Sequence, residues 1–108
     1  MPQTIISVRV HAAVAHGRIT RNAIVRYPSE PQTDIPPIVK PFEGEIHSTI
    51  DLNGIAVIVP AAYRLPESLT PPDHISAPGA FDAYLTLLAT SVPPVTATDT
   101  AGVITIEF

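Results

Sequence analysis

Four histidines, His11, His16, His47 and His74, are the most chemically versatile side chains of this 108-residue sequence. An imidazole can hold a metal or carry a proton near neutral pH. None of the four stands at a metal-ligand spacing from another histidine or a carboxylate. His11 and His47 fall on the polar sides of alternating runs, where a solvated histidine is the ordinary occupant. Asp73-His74 followed by Ser76 has the residue types of a hydrolase triad. Three such residues crowded into one proline-rich loop cannot reach the relay geometry, and no nucleophile elbow is present. Asp51-Leu52-Asn53-Gly54 opens like a calcium loop, but the later acidic ligands are missing and turn chemistry accounts for it. Glycine-rich phosphate loops are absent. The sequence therefore predicts no catalytic residue, no metal and no cofactor, and hence no enzyme. Tyr27, Tyr63 and Tyr84 are the residues a carbohydrate platform would need, although tyrosines in a β-domain more often line the rim of the core.

Composition excludes other classes. The formal charge is −4, with only six basic residues, so the basic stripe that releases counterions from nucleic acid is lacking. No apolar run approaches the length that spans a bilayer. The start, Met1-Pro2-Gln3-Thr4, has no basic region leading into an apolar stretch, so no signal peptide is expected. Without cysteine there is neither a disulfide framework nor a thiolate metal site. A chain of this length implies one domain, residues 1–108, with a core of its own.

The elements that must position any site read as strands. Residues 4–14 alternate, placing Ile6, Val8, Val10, Ala12 and Val14 on one side. His16-Gly17 makes a turn, and Ala23, Val25 and Tyr27 mark a second strand paired with the first. Residues 43–61 read as a hairpin around Asn53-Gly54, since both residues tolerate the positive φ of a tight turn. A two-residue loop there sets Leu52 against Ile55, Ile50 against Val57 and Ser48 against Val59. Residues 80–91 fit a strand, with Phe81, Ala83, Leu85 and Leu87 on one side, or a helix, with Phe81, Leu85 and Leu88 on one face. The strand is preferred because Thr86, Thr90 and Val92 continue the β-rich character. Residues 103–108 close the chain as a last strand.

Ten of the thirteen prolines fall in two segments, 28–41 and 60–79. Proline lacks the N–H an interior ladder needs, so both segments are expected to be long loops or extended arms. Ile35, Ile38, Val39, Tyr63 and Leu65 lie in them, and a purely solvated linker has little use for such apolar groups. These five are the candidate partner-binding residues. Short strands joined by proline- and glycine-rich connections predict an all-β sandwich of about six to seven strands. Its expected core is Ile6, Val8, Val10, Val25, Ile46, Ile50, Val57, Val59, Leu85, Leu87, Ile104 and Ile106.

The run from Gly17-Arg18 to Ala23-Ile24-Val25-Arg26-Tyr27-Pro28, a proline-rich gap, then Ile50-Asp51-Leu52-Asn53-Gly54-Ile55-Ala56-Val57-Ile58-Val59-Pro60-Ala61 and Leu69-Thr70-Pro71 carry a resemblance. In that order they are similar to the small immunoglobulin-like or prealbumin-like β-domains in virion proteins of phages that infect actinobacteria. The likeness covers residues 17–90. It implies an immunoglobulin-like or prealbumin-like β-sandwich and a structural role as a capsid-decorating or tail-associated subunit, with no catalytic residues. The implied partners are other virion subunits, a second copy included, in an oligomeric assembly without nucleic acid or membrane. The implied location is the virion, assembled in the host cytoplasm. The alternative function is a carbohydrate- or receptor-binding β-domain using the tyrosines and loop carboxylates at one end.

Overall fold

The long hairpin expected at the N-terminus forms as β1 (Ile5–Ala15) and β2 (Arg18–Pro28). Ala15 faces Arg18 across the two-residue turn, where His16 and Gly17 both take positive φ, 51° and 75°. That is the backbone twist a tight hairpin requires. The structure, a computed structural model, describes residues 4–30, 35–42, 50–75, 77, 79–96 and 99–107. After β2 come β3 (Ile38–Pro41), β4 (Ile50–Asp51), β5 (Gly54–Pro60), a single 3₁₀ turn (Glu67–Leu69), α1 (Ala80–Ser91) and β6 (Ala101–Glu107). The fold is mostly β, with one mixed six-stranded sheet in the order β3-β2-β1-β5-β6 and β4 also paired to β1. Among the described residues no second sheet faces it.

The phase of β1 changes midway. Its ladder with β2 runs to Val10↔Ala23, skips His11 opposite Asn22, and resumes at Ala12↔Arg21. Asn22 takes φ 49°, a left-handed conformation its short amide tolerates. As a result Val8, Val10 and Ala13 belong to one buried cluster, while Ala12 and Val14 belong to the other. The single apolar side expected for Ile6 through Val14 is therefore split in two at His11.

Residues 50–60 do not form a hairpin. Ile50 and Asp51 pair in parallel with Val8 and Arg9, and Ile55, Ala56 and Val57 pair in parallel with Ala12, Ala13 and Val14. Between the two stretches, Val10 and His11 stand against Leu52, Asn53 and Gly54. The extra residue makes a bulge, closed by the Leu52 N–H donating to the Arg9 carbonyl at 2.8 Å and the Gly54 N–H donating to the Leu52 carbonyl at 3.0 Å. Gly54 is not among the positive-φ residues, so the turn role expected for it is not the one it plays. Gly54 opens β5, which is buried on both sides from Gly54 to Val59, as a strand is between β1 and β6 with both faces covered.

Residues 80–91 are a helix and not the strand that the alternation predicts. Tyr84, Leu85 and Leu88 are buried. Leu87, which a strand would bury beside Leu85, is 43% exposed. Gly79 precedes the helix and Pro93-Pro94 follow it, and the threonines fit because Thr86 and Thr90 donate to the carbonyls of Asp82 and Thr86 at 3.1 and 3.0 Å. The helix covers one side of the sheet, where Ala12, Val14, Ile55, Val57, Val59 and Ile106 meet it. On the other side Val39 of β3 and Val103 of β6 pack against the same cluster, although their strands are at opposite ends of the sheet. The sheet is therefore curled around this second core.

Of the expected core, Val8, Val10, Val25, Val57, Val59, Leu85 and Ile106 are buried, and Ile6 and Ile104 are half-buried. Ile50 and Leu87, expected in the core, are instead 62% and 43% exposed. Ile50 sits on the two-residue β4 outside the covered part of the sheet. Ile46 lies outside the described residues.

Tyr84 ties the second proline-rich segment to the helix. It is buried, and its hydroxyl donates to the Leu69 carbonyl at 2.5 Å. Tyr84→Phe is expected to cost about 1–2 kcal/mol in urea denaturation, since the carbonyl loses its partner out of water. Burial also raises the phenol pKa above its ordinary value of 10.0. A group raised in the folded state contributes stability below its unfolded pKa and loses it as pH climbs beyond that value. Alkaline destabilisation should therefore be weaker in Tyr84→Phe than in the parent chain.

Candidate functional site

Two places combine hydrogen-bonding groups with a fixed scaffold: the kink at His11 and the β6 edge of the sheet, which is exposed at Thr105 and Glu107 and faces Tyr27, Pro28, Ser29 and Pro37 across a cavity of about 100 Å³ at residues 101–103. β6 is a terminal strand of seven residues. The Ala61 N–H donates to the Thr100 carbonyl at 2.8 Å, and this pair continues the β5–β6 register that ends at Pro60↔Ala101. Hydrogen-bonded and non-hydrogen-bonded pairs alternate in an antiparallel ladder. Gly102, Ile104 and Ile106 are thus the residues bonded to β5. The N–H and C=O groups of Ala101, Val103, Thr105 and Glu107 point the other way. Among the described residues no strand lies beyond them. The opposite edge, β3, is four residues long and carries Lys40 and Pro41, two devices that discourage edge-to-edge pairing. β6 carries neither lysine nor proline, and Glu107 is its only charge.

The expected partner-binding residues are spread over the fold. Ile38 is 50% exposed on the β3 edge, with Ile35 half-buried nearby in sequence. Val39 packs against the second core, and Tyr63 and Leu65 pack against the helix-side core. The segment 60–79 also sends Leu69 and Ile75 into that core, so much of its apolar content caps the helix side.

At the kink, side chains from three strands surround a cavity of about 340 Å³ lined by Arg9, Val10, His11, Asn22, Asp51, Leu52 and Asn53. Arg9 Nε donates to Asn22 Oδ1 at 3.1 Å, and the guanidinium lies 4.1 Å above the centre of the Phe42 ring. Phe42 is held in place by its own N–H donating to the Asn22 carbonyl at 2.8 Å. Asp51 approaches Arg9 at 4.0 Å and is otherwise exposed. His11 Nε2 and Asn53 Oδ1 are 2.7 Å apart. The polar side of β1 put Arg9 and His11 together in the sequence. The convergence with Asn22, Asp51 and Asn53 was not legible, because it depends on the kink and on parallel pairing.

The remaining chemical candidates stay apart. His16 is in the β1–β2 turn, and His47 and Ser76 lie outside the described residues. His74 borders a shallow cleft with Thr70, Pro72 and Leu87, but Asp73 is not part of its lining. Tyr27 packs against one core cluster while Tyr63 and Tyr84 belong to the other, so the three tyrosines form no common platform. Among the described residues no three His, Asp or Glu side chains converge as metal ligands, and no helix is long and apolar enough to cross a membrane. No family model, no curated protein and no solved structure matches this chain.

Proposed function

We propose that the protein is a non-enzymatic structural subunit that binds neighbouring protein subunits by adding its β6 edge to a strand of the partner. The observation that carries this reading is the seven-residue terminal strand with outward-facing amides at Val103 and Thr105 and no lysine or proline to block pairing. Strand addition gives affinity through main-chain bonds and specificity through alternate side chains. Exposed Ile38 at the far edge offers a second contact for a neighbour. The resemblance of residues 17–90 to virion β-domains supports the setting: a capsid-decorating or tail-associated subunit of a phage particle, working as one of many copies. The same resemblance carries the finer reading of the fold, an immunoglobulin-like or prealbumin-like arrangement of this mostly β chain.

Thr105→Pro tests the mode of binding. It removes an outward N–H while leaving every β5–β6 bond in place, and proline is tolerated on edge strands. The variant should fold with nearly the parent melting temperature and fail to enter the assembled particle. Hydrogen exchange supplies the second arm, with the Val103, Thr105 and Glu107 amides slowing in the particle relative to the isolated chain. Equal exchange in both states, or normal incorporation of Thr105→Pro, would sink the proposal.

A further inference from the structure

The cavity at the His11 kink is independent of the β6 edge, and its chemistry points to a small molecule. Helix α1 packs over the part of the sheet beyond the kink, where Ala12 and Val14 reach the helix-side core. Arg9 and Asp51 precede it and keep solvent access, with 40% and 81% of their side chains exposed. The donor side of the cavity is nevertheless held. Arg9 is fixed by Asn22 from β2 and by the Phe42 ring beneath it. These donors are therefore ordered before a ligand arrives, and this lowers the entropy lost on binding.

The donors and acceptors indicate the ligand class. With Nε engaged by Asn22, the Arg9 guanidinium still has its terminal N–H groups to donate. Asn22, whose Oδ1 accepts from Arg9, has its amide NH₂ to donate, and Asp51 only accepts. Arg9 Nη1 and Asp51 Oδ1 stand 4.0 Å apart, so adjacent hydroxyls of one ligand can reach both. A hydroxyl both donates and accepts, so a pair of neighbouring hydroxyls satisfies Arg9 or Asn22 on one side and Asp51 on the other. Charge argues against ions. The lining has one guanidinium and one carboxylate 4.0 Å apart, so an anion on Arg9 would meet Asp51 and a cation on Asp51 would meet Arg9. The volume of about 340 Å³ is at the small end of ligand pockets, roughly 300–1,000 Å³, and suits one ring. We propose that this cavity binds a neutral, hydroxyl-rich ligand, a single sugar unit, with Asp51 accepting from one hydroxyl and Arg9 and Asn22 donating to its neighbour.

A titration of the ¹⁵N-labelled full chain followed by two-dimensional NMR tests this. The probes are the methyl glycosides of glucose, galactose, mannose and N-acetylglucosamine, with acetate and inorganic phosphate as charged controls. At least one sugar should give saturable shifts confined to residues 9–11, 22 and 51–53. Asp51→Ala should weaken that binding about tenfold or more, the usual effect of removing a charged hydrogen-bond partner, while leaving the urea midpoint unchanged. Silence with all four sugars would overturn the proposal and leave the cluster as a staple for the kink. Saturation by acetate or phosphate alone, or full sugar affinity in Asp51→Ala, would overturn it equally. The isolated chain suffices for each measurement, so failure of the β6 docking mode leaves the result unaffected.

Discussion

Gly54→Ala is expected to destabilise the protein by about 3 kcal/mol or more, at the upper end for inserting an atom into a packed interior. The cause is proximity rather than backbone conformation. Gly54 lies opposite Glu107 at the end of the β5–β6 ladder. A Cβ there would fall on the Ile106 carbonyl oxygen and lie 2.9 Å from the carbonyl carbon and 3.1 Å from the Glu107 Cα. All three atoms are main chain, so no rotamer change can make room. Either β6 shifts away from β5 or the bulge at Asn53 reopens. Gly17→Ala is the control: its φ of 75° strains an alanine, but the nearest atom to a Cβ is the Ala89 carbonyl oxygen at 3.8 Å. That variant should cost about 1 kcal/mol. Urea titration of both variants gives the comparison. A Gly54→Ala midpoint equal to the parent's, or a smaller loss than in Gly17→Ala, would contradict the close approach seen in the structure.

The same glycine shows where the sequence can and cannot be read. Asn53-Gly54 is a strong hairpin signal taken alone. The run after it, Ile55-Ala56-Val57-Ile58-Val59, carries a competing signal, since five consecutive apolar residues suit a strand covered on both sides better than one with a wet face. Tertiary pairing with β1 settled the conflict in favour of the second. β1 and β2 were legible because their alternation and the His16-Gly17 turn agree. The kink within β1 was not. Val8, Val10, Ala12 and Val14 alternate without a break, and a phase slip at His11 leaves no trace in such a pattern. Its only local sign is Asn22, one of the few side chains at ease with positive φ. The kink cavity inherits that difficulty. Arg9 and His11 could be assigned to a polar side, whereas Asp51 and Asn53 reach them only because residues 50–57 run parallel to β1 with one residue to spare. Local sequence specifies turns and periods. It does not specify which distant strand will lie alongside.

Residues 80–91 show the limit of periodicity most sharply, and they give the second large expected effect. Leu85→Ala and Leu88→Ala should each cost about 2–5 kcal/mol, the range for emptying a packed leucine site. Both are 0% exposed and pack in the helix-side core with Ile55, Val57 and Val59. Leu87→Ala should change stability by less than about 0.5 kcal/mol, because that side chain is 43% exposed on the outer face of α1. The pattern separates the two readings of this segment. A strand places positions 85 and 87 on one side and makes their substitutions alike, with 88 on the other. A helix brings 84, 85 and 88 together and turns 87 outward. The loss at Leu88 carries most weight, since α1 touches β1 and β2 only lightly and its buried anchors are Tyr84, Leu85 and Leu88, while its Asp82–Arg21 ion pair with β2 is exposed. Chemical denaturation of the three variants decides between them. Equal losses at Leu85 and Leu87, or a Leu88→Ala variant as stable as the parent, would mean that the segment does not pack as this helix.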